Sequence, residues 1–317
     1  MKIKASPTVD IHAHYYPARY LDAYGDNRDL VLPAWGNAPL EVLGLSERVS
    51  LMEATGVSCA VLSLGLLQPY VGNAEVGRNL AQLGNDELIR ISLDWPGRLY
   101  TFAVLPLPHV DAALEEVQRV ATVPSVVGFV LGCSIGAMDL DDPSLYPIFA
   151  ELDRRCAVVA LHPVMRRKDA FLATYGLARS VGGVLEDTEA ALRIVLGGVV
   201  ERFPSVRFVV PHLGGTLPFL LGRLQGLSAQ ALGQLGGLYY DTATSHRPAL
   251  RCATDTFGWE RLLFGTDFPY LDLASYQART ADIVRLGLPE VERRAILGSS
   301  AAELLSLSSR GTSSQQW

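Results

Sequence analysis

The chain has 317 residues, 49% of them hydrophobic and 19% charged, with a formal net charge of −6 and a Lys plus Arg total of 27. A mildly acidic balance without a basic run leaves no electrostatic footprint for a phosphate backbone or an anionic membrane, so neither nucleic acid nor a lipid surface is expected as a partner. So large an apolar share excludes disorder and leaves two architectures open, a pair of domains or one large barrel.

The N-terminal Met-Lys-Ile-Lys-Ala-Ser-Pro offers no apolar core for a signal peptide, which points to a cytoplasmic location. Short β-branched runs then recur along the chain. Strands are expected at about 8–14, 57–64, 99–105, 126–131, 157–162, 206–212, 237–241 and 261–266. Helical spacing fills the intervals near 45–55, 75–94, 110–121, 143–156, 186–203, 215–233, 247–257 and 274–286. Eight βα units in strict alternation predict an α/β fold, a TIM-like (β/α)8 barrel with an enlarged loop after its first strand, over a doubly wound sheet. One domain over residues 1–307 then accounts for the length, with a disordered polar tail at 308–317.

The uncharged stretch from Val120 to Met138, with Gly128, Gly132 and Gly136 at four-residue spacing, resembles a membrane helix, but Pro124 and Ser125 split it and leave a buried strand. Two loops are long: residues 15–44, rich in Tyr, Pro, Gly and Trp, and residues 163–183. Both follow strands and so belong to the face where barrel enzymes build their sites. Cys59, Cys133, Cys156 and Cys252 are far apart, without a C-x-x-C pair, and are expected as buried free thiols.

The first strand ends Val9-Asp10-Ile11-His12-Ala13-His14, and period-two alternation turns His12 and His14 to one side. His162 ends the fifth strand, His212 the sixth, and Asp267 follows the eighth. In a barrel these strand ends converge on one mouth. Imidazole nitrogens with one carboxylate suit a divalent ion, Zn²⁺ first, with Mn²⁺, Fe²⁺ or Co²⁺ also compatible. The lysines are Lys2, Lys4 and Lys168, none near the fourth strand at Gly128–Gly132, where a carbamate bridge between two metals would need one. A single ion is therefore expected.

Val-Asp-Ile-His-Ala-His at 9–14, Leu-His-Pro at 161–163, Pro-His-Leu-Gly-Gly at 211–215 and Gly-Thr-Asp-Phe-Pro at 265–269 resemble the amidohydrolase superfamily. More narrowly, they resemble its metal-dependent decarboxylases, typified by aminocarboxymuconate-semialdehyde decarboxylase, over nearly the whole chain. The resemblance implies that His12, His14, His162 and Asp267 bind one zinc ion and that His212 is the acid/base. Four donors already fill a basic coordination shell, which agrees with His212 as a neighbouring proton carrier; its other readings are a fifth ligand or a satisfied strand-end histidine. Arg223 matches a position where the family places a substrate-carboxylate arginine donated across a dimer interface, which implies a homodimer; its other reading is a solvated helix arginine.

One departure concerns the loop at 15–44. It lacks the family's Phe-Arg-Pro setting for a second substrate arginine: Arg19 and Arg28 are its arginines, and Tyr15, Tyr16, Tyr20, Tyr24 and Trp35 dominate it. Those rings, Tyr15 foremost, suit a flatter aromatic acid, or else pack the loop on its own barrel. His246, just after the seventh strand, is a further residue placed to face the pocket, whereas His109 reads as a loop residue. The expected activity is non-oxidative decarboxylation of a small unsaturated or aromatic carboxylic acid. The alternatives are hydrolysis of an amide, lactone or ester at the same site, with Asp267 taking the proton of water, and a metal-binding protein without turnover.

Overall fold

A computed structural model describes residues 7–25, 43–164, 172, 174–224, 226–244, 246–270 and 273–307. Lys2, Lys4, Arg28, Trp35, Lys168 and the tail at 308–317 lie outside the described residues.

Eight strands form one sheet in sequence order: β1 (Val9–His14), β2 (Cys59–Ser63), β3 (Leu99–Val104), β4 (Val126–Gly132), β5 (Val158–His162), β6 (Arg207–Val210), β7 (Tyr239–Asp241) and β8 (Leu262–Leu263). Every adjacent pair is parallel. The strands are buried nearly throughout, which is why β2 to β6 read as largely apolar runs, while β1 alternates apolar residues with the buried Asp10, His12 and His14. The ring closes past β8. There the segment 264–268 runs beside β1, with Ile11 N–H donating to Phe264 O at 2.9 Å, Asp267 N–H to His12 O at 2.8 Å and His14 N–H to Phe268 O at 2.7 Å. The expected (β/α)8 barrel is therefore the observed fold.

Helices α1 (Ala18–Tyr24), α2 (Leu45–Thr55), α3 (Ala74–Asp94), α4 (Val110–Val120), α5 (Tyr146–Arg154) and α6 (Gly183–Leu196) fall within the first five units. Helix α3 starts where Asn73 accepts from the Glu75 and Val76 amides. Its buried Asn85 donates to Val104 O at 3.0 Å and accepts from Val104 N–H at 2.9 Å, which pins the end of β3. No described helix is long and apolar enough to cross a membrane.

Three expectations need correction. The helix at 186–203 is two, Gly183–Leu196 and Val199–Arg202, because Gly198 takes a left-handed φ of 77° between them. The single helix at 215–233 is broken into short turns over 212–223 and a helix at Ala229–Gly237, because Gly214 and Gly215 take positive φ and Ser228 starts a new helix by accepting from Ala231 N–H. Of the four cysteines expected to be buried, Cys59 and Cys133 are, but Cys156 and Cys252 are exposed. Cys156 sits in the turn just past α5 at φ 49°, and Cys252 on a solvent-facing side of the helix Arg247–Phe257.

Candidate metal centre and active site

His12 and His14 lie on β1, His162 ends β5, and Asp267 lies on the closing segment. One ligand atom from each comes within 4.8 Å of all the others. The outer nitrogen of each imidazole is taken up elsewhere. His12 Nδ1 lies 2.7 Å from Asp241 Oδ2, His14 Nδ1 lies 2.9 Å from Ser63 Oγ, and His162 Nδ1 donates to Pro163 O at 2.8 Å. Such partners fix tautomer and ring orientation, and they leave the Nε2 lone pairs turned inward.

The inward atoms are what a divalent ion needs. His12 Nε2 and His14 Nε2 are 3.0 Å apart, and Asp267 Oδ1 lies 3.1 and 3.0 Å from them. Buried His162 Nε2 has no hydrogen-bond partner among the described residues. Converging lone pairs and a carboxylate around a common point are explained by a cation. Burial drives His14 down to about 4 and His162 well below the usual imidazole range, so both are neutral ligands at neutral pH. Burial also opposes charge on His12, but the Asp241 and Asp267 carboxylates outweigh it and hold the ring at about 10, a positive charge that a bound ion would replace. Gly65, at φ +44°, packs so closely on His14 that a Cβ there would sit 2.5 Å from Nδ1.

His212 follows β6 and Pro211. Its Nδ1 lies 2.8 Å from Oδ2 of Asp187, a fully buried carboxylate on α6, and its Nε2 lies 3.4 Å from Asp267 Oδ2. Burial disfavours the imidazolium, but the Asp187 carboxylate overrides it and lifts His212 well above its ordinary value. Cys133 Sγ donates to the other oxygen of Asp187 at 3.4 Å. His212 and Asp267 both hold left-handed backbone, at φ 51° and 61°, a local cost of about 1–3 kcal/mol each that the surrounding structure must impose.

The remaining residues singled out in the sequence are spread more widely. Tyr15 is half-buried against the core, with its N–H donating to Ser63 O at 3.2 Å. Arg223 is exposed in a short turn, and His246 is exposed just before the helix Arg247–Phe257. His109, a loop residue as expected, sits 3.2 Å from Val71 O through Nε2. The Tyr270 ring lies 4.9 Å from that of His14, and its hydroxyl contacts that of Tyr16.

Asp241 and Asp187 were not anticipated. Asp241 ends the Tyr-Tyr-Asp strand and could have been found as another polar residue at a strand end; it also accepts from the His212 and Ala243 amides at 2.9 and 3.0 Å. Asp187 lies within a helix rich in acids, Leu-Glu-Asp-Thr-Glu, where nothing local separates it from its neighbours.

The family model described as Amidohydrolase matches residues 9–307. The 2-amino-3-carboxymuconate-6-semialdehyde decarboxylase of Dictyostelium discoideum is 26% identical over 274 residues, covering 82% of this chain and 76% of that protein. The 6-methylsalicylic acid decarboxylase of Penicillium expansum is 27% identical over 317 residues, covering 93% and 95%. The crystal structure of 5-carboxyvanillate decarboxylase from Novosphingobium aromaticivorans, complexed with manganese and 4-hydroxy-3-methoxy-5-nitrobenzoic acid, superposes with a TM-score of 0.83 at 19% identity, covering 96% of this chain and 97% of that one. With its barrel, its His and Asp cluster and the full-length match, the chain belongs to the amidohydrolase family, in the branch that resembles aminocarboxymuconate-semialdehyde decarboxylase.

Proposed function

We propose that the protein is a metal-dependent, non-oxidative decarboxylase of a small aromatic or unsaturated carboxylic acid, working with one divalent ion. The observation that carries this reading is His212, held from behind by buried Asp187 and presenting Nε2 beside the metal donor Asp267. It is a proton carrier next to a four-donor nest. The decarboxylases among the relatives support the reaction class. The donor set fits Zn²⁺, and the manganese in the 5-carboxyvanillate enzyme makes Mn²⁺ equally suitable.

When bound, the ion would act as a Lewis acid on an oxygen of the substrate. His12, His14, His162 and Asp267 would hold it. His212 would deliver a proton from Nε2 to the carbon bearing the carboxylate, the bond from that carbon to the carboxylate would break, and carbon dioxide would leave with the proton retained on the product. Asp187 keeps Nδ1–H oriented and stabilises the imidazolium before transfer. Buried Tyr270, beside the His14 ring, and buried Tyr16, in contact with Tyr270, would keep water from that side of the site. Tyr15 and His246 are proposed as substrate contacts from the loops. Arg223, exposed on its own chain, would serve a substrate carboxylate across a homodimer interface.

The test is a panel of hydroxybenzoic and unsaturated acids with metal-replete protein in deuterated water. Carbon dioxide release with deuterium at the vacated carbon is expected. No release from any acid would overturn the reading, and ¹⁸O uptake from water without carbon dioxide would assign hydrolysis instead.

A further inference from the structure

Arg48 is a cation buried in the barrel wall, 2% exposed. It comes from α2, and it reaches the seam where the ring closes. Its Nη1 donates to His14 O at 2.6 Å, and its guanidinium lies 5.0 Å from the centroid of the Phe268 ring. His14 N–H in turn donates to Phe268 O. Both polar groups of the His14 peptide are thereby committed, one to the closing segment and one to Arg48. The opposite charge is Asp10, on the same strand, which accepts from the Thr266 amide at 3.0 Å and from Thr266 Oγ1 at 2.6 Å. Arg48 and Asp10 attract one another without direct contact, and between them they brace the two backbones that carry His12, His14 and Asp267.

We propose that Arg48 is a positioning residue for the metal centre: by bonding the His14 carbonyl and covering Phe268, it sets the spacing between β1 and the segment bearing Asp267, and with it the affinity and geometry of the bound ion. The physical basis is register. A guanidinium that grips the carbonyl of one strand and the ring of the next fixes their separation, whereas a neutral side chain of similar length fixes neither. A positive charge in the wall also offsets the buried Asp10 carboxylate, so that this anion does not recruit the His12 side of the site as its counter-charge. Arg48 touches no ligand atom, and its influence passes through the His14 peptide.

The inference rests on reading His12, His14, His162 and Asp267 as the metal site. Co²⁺ is the probe, titrated into metal-free wild type, Arg48→Met and Arg48→Lys, with visible absorption and metal content as readouts. Removing groups that orient ligands typically weakens metal binding by about 10- to 100-fold. Arg48→Met should show that loss together with an altered Co²⁺ band shape, and Arg48→Lys, which keeps the charge and a donor, should stay within a few-fold of wild type with a native spectrum. Equal affinity and spectrum in wild type and Arg48→Met overturn the proposal, as does Arg48→Lys failing as badly as Arg48→Met. Should Arg48→Met not fold, Arg48→Gln decides: it retains an N–H donor without charge, and native affinity there also overturns the proposal. A wild type that binds no Co²⁺ refutes the metal site itself, an outcome distinct from all of these.

Discussion

Gly65→Ala should expel the metal by pushing a ligand, and Gly56→Ala provides its matched control. Both glycines have positive φ, +44° at Gly65 and +75° at Gly56, so an alanine at either position meets a left-handed backbone cost of about 1–2 kcal/mol. Around Gly56, at the end of α2, nothing lies within 4 Å of the added Cβ. At Gly65 the same atom would sit 2.5 Å from His14 Nδ1 and 2.8 Å from Cε1. A relaxed carbon contact is about 3.5–4.0 Å, so the imidazole must retreat by roughly 1 Å. That motion stretches the 2.9 Å contact with Ser63 Oγ and draws Nε2 away from the other donors. Metal affinity should fall by at least the ~10- to 100-fold typical of losing a ligand's support, or about 1.4–2.7 kcal/mol of binding free energy. Isothermal titration with Zn²⁺ and Mn²⁺, alongside thermal melts of the metal-free proteins, separates the two effects. Both variants should melt earlier, and only Gly65→Ala should bind weakly. Native affinity in Gly65→Ala would show that His14 is not held in place by this contact.

Asp241→Asn removes the charge that orients His12 while leaving an amide of the same shape, and metal content after dialysis should reveal affinity about 10- to 100-fold lower with the barrel intact by circular dichroism. Asp187→Asn acts on His212, the proposed proton carrier. Asp187 holds the His212 pKa up against burial, so the imidazolium, present below its pKa and lost as pH rises through it, should disappear earlier in the variant. The alkaline limb of kcat should move toward acid, and an unmoved limb contradicts the role given to Asp187. Metal should also stabilise the fold: at 100 times Kd the melting free energy rises by about 2.7 kcal/mol, and chelator should reverse the shift in a calorimeter.

The barrel and the donor cluster were legible because each depends on short-range pattern. A strand end after an apolar run is visible in Leu161-His162, and alternation alone places His12 beside His14. What could not be read was whatever arrives from elsewhere in space. Asp187 meets His212 from a helix 25 positions away, and Arg48 meets His14 across 34. The merged helix at 215–233 failed for a backbone reason, since apolar spacing runs on through Gly214 and Gly215 while their φ values do not. The aromatic content of the loop after β1 was visible, but where Tyr16 lands depends on Tyr270, which is 254 positions downstream.

The seam that closes the ring has a consequence for biosynthesis. His14 and Asp267, which approach to 3.0 Å, are separated by 253 positions, so the first ligands to leave the ribosome wait for nearly the whole chain before the last one joins them. Joining ends so far apart in sequence is slow and entropically costly. A nascent chain ending before the closing segment holds the three histidines and Asp241 behind His12, but lacks the inward carboxylate of Asp267. The completed protein instead has its first strand bonded to the closing segment at Ile11, His12 and His14. An ion held by His12, His14, His162 and Asp267 would therefore tie the first strand to the closing segment as well as serve the site.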